Sequence, residues 1–228
     1  MLRGIVKKYK QPLAYTFCSG TTKTADLKSQ LKNIIEKVQS TGLQIVATIC
    51  DQGVTNLAAI NQLLEETKTK YLRNDEDYNG GFFEVGNVEI VPLFDPPHLI
   101  KGVRNNLLTK NLKFKMDGKV RLAKWCHIED LFQRGPTYRG IKLLHKLTAE
   151  HVVPSMIPKM KVKHCTQVFS KSVGVTLGSM AENGSMPAEC MDTADLLLLF
   201  DSLFDSVNCN NFNKEEGKPY KTPVTRNS

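Results

Sequence analysis

The stretch that most constrains the fold is a run of apolar and β-branched residues, Ile45–Cys50, which ends abruptly at Asp51. Such a run is what a parallel strand covered on both faces needs. Open α/β sheets place ligands beyond the carboxyl ends of their strands, so the sequence predicts a buried strand that presents Asp51 at a sheet edge. An acid at this point is a common metal ligand in phosphoryl transfer, and it is as often a helix cap or turn residue.

The composition indicates a globular protein. The chain has 228 residues, of which 41% are hydrophobic, enough for one large domain or two ordinary ones. It contains no run of 18 apolar residues, and its first residues do not resemble a signal peptide. We therefore expect a soluble, intracellular protein with no membrane partner. The six cysteines include no Cys-x-x-Cys pair, which favours reduced thiols and argues against zinc.

The positive charge is concentrated in the middle of the chain. The net charge is +8, but residues 101–171 alone carry 16 Lys and Arg against 4 Asp and Glu. A concentrated positive field favours polyanions such as nucleic acid or nucleotide phosphates. The alternative is a solvated lysine-rich face.

The first part of the chain has the pattern of a mixed α/β sheet. The opening residues predict a hairpin of Arg3–Lys10 with residues 11–17. The elements predicted after it are, in order, a helix over Leu27–Val38, the strand Ile45–Cys50, a helix from Val54 or Thr55, a surface loop over 67–81 and a strand Val88–Phe94. Pro92 cannot donate to a ladder, so the last strand is predicted at a sheet edge.

From Pro96 onward helical periodicity dominates, and the sequence predicts an all-α module without further strands. The predicted helices are His98–Leu108, Val120–Gln133, Ile141–Leu147, Val162–Leu177 and Asp192–Val207. The polar end, Asn210–Ser228, with its Lys-Pro and Thr-Pro steps, is typical of an exposed linker.

Two segments after the sheet could bind phosphate. Pro97 suits the first turn of a helix that carries His98, Lys101 and Arg104, and a helix start with basic side chains can hold an anion. The alternative is a domain junction with a packed histidine. Residues 135–142 resemble a phosphate loop, but Ile141 separates Gly140 from the lysine and no strand precedes them. We therefore reject a P-loop.

A further set of polar residues lies on the later predicted helices. The cations and hydroxyl of this set are Lys146, Lys161, Lys163, Ser170 and Lys171. In the last helix Asp205 and Asn208 are three residues apart and can face one pocket, where the acid could accept from N1 and N2 of guanine. A solvated helix end is the alternative. The pairs Cys126-His127 and His164-Cys165 lack finger spacing, so we interpret them as core thiols rather than metal ligands.

Four motifs in order resemble the P element transposases and their THAP-containing relatives. They are Cys50-Asp-Gln-Gly, Phe94-Asp-Pro-Pro-His-Leu-Ile-Lys-x-x-Arg-Asn-Asn-Leu, Lys159-Met-Lys-Val-x-x-x-x-Gln-Val-Phe-Ser170 and Leu203-Phe-Asp-Ser-Val-Asn208. The resemblance implies a partial RNase H-like domain over 1–97, a helical GTP-binding insertion over 98–209 and a linker over 210–228.

The resemblance also implies roles for individual residues. Asp51 resembles the second acid of a three-carboxylate Mg²⁺ site. The residues that resemble nucleotide contacts are Lys146, Lys161, Val162 and Ser170, and those that resemble the guanine-recognising end are Phe204, Asp205 and Asn208. GTP in this family is a cofactor that helps to position DNA. Transposon-end DNA as partner, homo-oligomerisation of the full-length protein and a nuclear location are further expectations.

The chain departs from the family pattern at two catalytic acids. No carboxylate precedes Asp26, so the first acid is missing, and the third would follow the insertion, beyond Ser228. We therefore expect a transposase fragment that is inactive alone. The alternative is a domesticated, non-catalytic regulator that binds guanine nucleotide or DNA.

Overall fold

The computed structural model describes residues 1–7, 9–208 and 220–221. It divides the chain into two compact units, Met1–Asp95 and Pro96–Ser228. The elements of the first unit are β1 (Leu2–Arg3), β2 (Lys10–Gln11), α1 (Thr24–Gln39), β3 (Ala47–Cys50), α2 (Val54–Arg73), β4 (Phe83–Val85) and β5 (Val88–Phe94). Those of the second are α3 (Pro96–Leu107), β6 (Leu112–Met116), β7 (Lys119–Ala123), α4 (Trp125–Arg134), β8 (Thr137–Tyr138), β9 (Ile141–Lys142), α5 (Ala149–Val152), α6 (Val162–Val168), α7 (Lys171–Glu182) and α8 (Cys190–Val207).

A three-stranded mixed sheet organises the first unit in the order β3-β5-β4. β3 and β5 run parallel with Cys50 opposite Phe94, and β4 joins β5 as an antiparallel hairpin. The prediction that β5 is an edge strand is wrong, because β5 is the central strand of the sheet. Pro92 still has no amide hydrogen to donate, but its position requires none. Pro92 lies beyond the residues that pair with β4. On the other side of β5, the Val91 amide donates to the carbonyl of Val46, just before β3, and the Asp95 amide donates to that of Cys50. Pro92 therefore costs the sheet no ladder bond.

Two helices pack on this sheet through their apolar faces. Ile35 of α1 and Ile60 and Leu63 of α2 form a buried cluster with Phe83 and Ile90 of the sheet. The predicted helix after Asp51 extends further than expected, because residues 67–73 are helical rather than part of a loop. Thr67 explains the difference, since its buried hydroxyl donates to the Leu63 carbonyl and accepts from the Glu84 amide, which ties this turn to β4.

The predicted burial of the strand before Asp51 is wrong. Within the described residues β3 has one neighbouring strand, β5, and Ile49 is 68% exposed. The expected strand over 11–17 also does not form beyond Gln11, and the expected hairpin is wrong in its register. The ladder that forms pairs Leu2–Arg3 with Lys10–Gln11, so the turn lies within the segment Arg3–Lys10 that was predicted to be one of the strands. Tyr15 and Phe17 are exposed and lie outside any ladder that the described residues form. A strand-like composition therefore does not define a strand without a pairing partner.

The second unit is mainly helical, and α3 and α8 lie close to their predicted positions. The prediction that no strand follows Pro96 is wrong, because two hairpins form there. Their turns are Asp117-Gly118 and Arg139-Gly140, and all four residues have positive φ. Such two-residue turns match the twist of paired strands. The segment rejected as a phosphate loop is thus mostly a hairpin. Residues 120–124 and 141–147 were predicted to be helical, and they are not.

The helix predicted over Val162–Leu177 is divided into α6 and α7 by Phe169 and Ser170, both of which leave helical geometry. The Ser170 Oγ accepts from the Val173 amide and so caps α7. α7 then packs closely on α8 at Gly174, where an added Cβ would lie 2.8 Å from Leu198 Cγ and 3.3 Å from the Ala194 carbonyl oxygen. Glycine is therefore required for this helix contact.

A single large cluster forms the core of the second unit, and it includes Trp125, Leu131, Phe169, Leu177 and Leu197. These residues come from α4, α7, α8 and the break between α6 and α7, so the helices share one interior rather than forming separate pairs. Among the described helices, none is long and apolar enough to cross a membrane.

Candidate nucleotide-binding site

A cavity of about 400 Å³ opens in the second unit. Its size falls in the range of roughly 300–1,000 Å³ that is typical of small-molecule sites. Its walls are the segment 143–147 after β9, the end of α6, the start of α7 and the last turns of α8. The polar side chains among its lining residues are His145, Lys146, Thr166, Gln167, Ser170, Ser172, Asp201, Asp205, Asn208 and Lys221.

One wall of the cavity is a single face of α8. Asp201, Phe204, Asp205 and Asn208 recur at helical spacing, so the fold presents two carboxylates, one aromatic ring and one amide along the same side. Carboxylates accept hydrogen bonds and amides both donate and accept, which suits the polar edge of a nucleobase. This wall can therefore recognise a ring with adjacent N–H donors, such as guanine.

Positive charge and hydrogen-bond donors, which complement the acceptors of α8, come from Lys146 and the start of α7. Lys146 is an exposed cation in the segment after β9, and Ser170 caps α7 at the cavity wall. The amides of the first turn of a helix and a lysine together attract negatively charged groups. The cavity thus combines donors and positive charge on one side with acceptors on another, as binding of a phosphorylated base requires.

Phe169 connects this cavity to the core. It is 1% exposed, lines the cavity and packs on Phe200 with ring centroids 5.5 Å apart. The backbone turn at Phe169 and Ser170 also separates α6 from α7. The position of Ser170 therefore depends on the packing of its neighbour.

The structure brings together five of the seven residues that the resemblance assigned to the nucleotide. They are Lys146, Ser170, Phe204, Asp205 and Asn208. Lys161 and Val162 are not among the lining residues. Lys161 precedes α6 with an exposed side chain, and Val162 begins that helix.

Sequence reasoning missed several polar lining residues, including Asp201, Gln167 and Ser172. Asp201 lies four residues before Asp205, so helical spacing alone could have identified it. Gln167 and Ser172 lie on either side of a helix break that the sequence did not reveal, and their convergence depends on that break.

Asp51 lies in the first unit, at the end of β3 as predicted, but it is exposed. Its Oδ1 accepts from the Gly53 amide at 2.9 Å and from Asn56 Nδ2 at 2.6 Å. These contacts make Asp51 a turn residue ahead of α2. Over the parts of the chain that the structure describes, no group of three or more His, Cys, Asp or Glu side chains is placed to hold a metal ion.

The basic residues of α3 do not form an exposed phosphate-binding side. Lys101 is 7% exposed and Arg104 is fully buried. Arg104 Nη2 donates to the Lys159 carbonyl at 2.8 Å, and Nε donates to Asn105 Oδ1. Burial lowers the pKa of this guanidinium from its ordinary value. Arg104 thereby connects α3 to the turn before α6.

The interpretation of the two cysteine pairs as core thiols is correct for one of them. Cys165 is fully buried, donates to the Ile100 carbonyl, and has its pKa raised to about 12 by burial. Cys126 is exposed, so it is not a core thiol, because it lies on the outward side of α4 while its neighbour His127 is buried.

Comparison with known protein families defines the class of this chain. A family model described as "TNP-like, GTP-binding insertion domain" matches residues 97–223, and one described as "TNP-like, RNase H N-terminal domain" matches residues 1–64. The first covers more than half of the chain. The protein is thus of the transposase class, with an RNase H-like part and a GTP-binding insertion, and it belongs to the TNP-like, P element transposase family.

Individual relatives agree with this assignment. Transposable element P transposase of Drosophila melanogaster is 29% identical over 209 residues, which are 91% of this chain and 25% of that protein. The chain therefore spans about a quarter of the length of this relative. The fold is similar to the Drosophila P element transposase strand transfer complex, with a TM-score of 0.73 and 24% identity over 93% of this chain and 44% of that chain. This similarity confirms the predicted fold class.

Proposed function

We propose that the cavity of the second unit binds GTP as a cofactor. Asp205 and Asn208 recognise the guanine edge beside the Phe204 ring, and Lys146 and Ser170 bind the phosphate side. The single observation that carries this proposal is that these residues, which are distant in sequence, line one cavity of about 400 Å³. We propose Lys161 and Val162 as contacts for phosphates that extend beyond the lining, since Lys161 is an exposed cation at the start of α6.

GTP should raise the melting temperature of this protein by several degrees more than ATP at the same concentration. A ligand that binds only the folded state stabilises it by about 2.7 kcal/mol at 100 times its Kd, and adenine cannot offer the adjacent N1–H and N2–H donors that Asp205 would accept. Thermal melts with matched concentrations of both nucleotides measure the difference. Equal shifts would contradict guanine recognition.

We assign residues 1–97 to the RNase H-like domain, residues 98–209 to the GTP-binding insertion and residues 210–228 to a linker. The division of contacts between residues 95 and 96 supports the first boundary. Most of the linker lies outside the described residues. Limited proteolysis that cut within α1 or α2 before cutting near residues 95–98 would argue against the first boundary.

We propose that the protein acts on transposon-end DNA in the nucleus as a homo-oligomer, in full-length form. The support for DNA as a partner is the excess positive charge of residues 101–171 and the exposed cations of the two hairpins in that segment. Lys113 and Lys115 are exposed on alternate positions of β6, and Arg139 and Lys142 are exposed on β8–β9. Light scattering of the DNA complex measures the number of subunits, and a single copy per DNA end pair would contradict the oligomer.

Affinity for duplex DNA should fall steeply with salt, because each phosphate contact releases a condensed counterion. Replacing both Lys113 and Lys115 with Ala should weaken binding and reduce the slope of log affinity against log salt by about two. Fluorescence anisotropy at several salt concentrations measures this slope. Replacing both Lys37 and Lys68 with Ala removes the same charge from exposed positions outside the basic segment and should leave the slope unchanged. A slope that is equal in both double variants would contradict the assignment.

We propose Mg²⁺ as the metal of full-length relatives that cut and join DNA, with Asp51 as one ligand. Over the described residues no group of three or more His, Cys, Asp or Glu side chains is placed to hold a metal ion, and the Oδ1 of Asp51 is engaged in a turn. Asp51→Asn in a longer protein should abolish metal-dependent cleavage while GTP binding persists. Retained cleavage would remove Asp51 from the proposal.

A second candidate function is a non-catalytic regulator that binds guanine nucleotide or DNA. The turn contacts of Asp51 favour it, since they give this carboxylate a structural role without metal. The flanking genomic sequence discriminates between the two. Two further acids in an open reading frame support the enzyme, and stop codons without those acids support the regulator.

A further inference from the structure

A chain of hydrogen bonds leads from the backbone before α5 to the wall of the cavity. His151 is 6% exposed, and its Nδ1 lies 3.2 Å from the Thr148 amide nitrogen and 2.8 Å from the Thr148 hydroxyl. Its Nε2 lies 2.7 Å from Oε1 of Gln167, which lines the cavity. The His151 ring also stacks on His164 with centroids 4.3 Å apart, so one face of the ring is covered.

The backbone amide determines how this chain is polarised. An amide N–H can only donate, so Nδ1 of His151 must accept and carries no hydrogen. The proton of the neutral ring is then on Nε2, which donates to Gln167. Because an NH₂ group cannot accept this bond, the oxygen of the Gln167 side chain must face His151. The NH₂ group of Gln167 is thereby turned away from His151.

We propose that His151 is a positioning residue that holds Gln167 with its NH₂ group as a donor to the phosphate chain of the nucleotide. This inference rests on the proposed function of the cavity. Gln167 belongs to the phosphate side, because its backbone carbonyl accepts from Ser170 Oγ at 2.9 Å and both residues line the same wall. A preorganised donor binds an anionic oxygen more tightly than one that must first rotate.

Two substitutions separate positioning from simple structural support. Gln167→Met keeps the length of the side chain but removes the donor. His151→Asn places a neutral acceptor near the position of Nδ1, which keeps a partner for the Thr148 amide, but it has no N–H that reaches Gln167. Each variant should weaken GTP binding by roughly tenfold, as expected for loss of one hydrogen bond to a charged group.

The ratio of affinities for GTP and guanosine tests the positioning role. Both variants should bind guanosine as the unsubstituted protein does, because the base end is unchanged, whereas general loosening of the fold would weaken both ligands together. The double variant should lose no more than Gln167→Met alone, because His151 acts only through Gln167. Isothermal titration of the full chain with GTP and guanosine measures all four proteins.

The outcomes distinguish this inference from the proposed function. Failure of the unsubstituted protein to bind GTP overturns both. Binding of GTP that is sensitive to Asp205→Ala but unchanged in Gln167→Met overturns the roles of Gln167 and His151 and leaves the proposed function standing. A double variant whose loss equals the product of the two single losses, or a parallel loss of guanosine affinity, overturns the role of His151.

Discussion

Asp205→Ala should lower the affinity of this protein for GTP by roughly 10- to 100-fold and leave its weaker affinity for ATP nearly unchanged. A hydrogen bond to a charged group contributes about 1.5–3 kcal/mol, and each 1.4 kcal/mol corresponds to a factor of ten. The carboxylate lies in the cavity wall on the same face of α8 as Phe204 and Asn208. Its removal eliminates the acceptor for two guanine donors, and adenine never uses that acceptor.

Direct titration with both nucleotides measures the change in selectivity. Asp130→Ala is a matched control, because it removes the same charge from a residue of the same unit whose side chain is 39% exposed and pairs with Arg134 outside the cavity. Exposed pairs of this kind contribute little to stability. If Asp205→Ala lowered GTP and ATP affinity by the same factor, or if Asp130→Ala had an equal effect, Asp205 would not recognise the base.

Local sequence predicts the helices of this protein better than its strands. The amphipathic spacing of Leu31, Ile34 and Val38 identifies α1, and that of Leu57, Ile60 and Leu64 identifies α2, because a helix forms its backbone hydrogen bonds within one segment. A strand needs a partner elsewhere. Residues 11–17 have a strand-like composition and no described ladder beyond Gln11, whereas Phe83–Val85 pairs with β5 and was not predicted.

The hairpin β6–β7 could have been predicted, and the cavity only in part. Residues 112–123 alternate around Asp117-Gly118, which is a strong hairpin signal, but the helical interpretation of the following segment concealed it. In the cavity, the α8 residues follow from helical spacing. The approach of Lys146 and Gln167 depends on the turn at Phe169 and Ser170 and on long-range packing, which no local pattern contains.

Phe169→Ala should destabilise the second unit by about 3–5 kcal/mol, which corresponds to a fall in its melting temperature of more than about 10 °C. Phe169 is 1% exposed and belongs to the large core cluster, so truncation leaves a cavity in addition to the lost apolar burial. Trp125 provides the measurement. It is the one tryptophan of the sequence, is 4% exposed, and its Nε1 donates to the Val152 carbonyl. Its fluorescence therefore follows unfolding of the second unit.

Phe17→Ala is the corresponding control, since Phe17 is 93% exposed and its truncation removes the same atoms without creating a cavity. It should leave the Trp125 transition where it is. Phe169→Leu retains much of the buried volume and should cost less than about 1.5 kcal/mol. GTP should then stabilise Phe169→Leu nearly as much as the unsubstituted protein, because the turn that positions Ser170 persists. If Phe169→Ala had the same melting temperature as Phe17→Ala, Phe169 would not pack in the core as described. The positions of Ser170 and Gln167, which depend on that packing, would then also be incorrect.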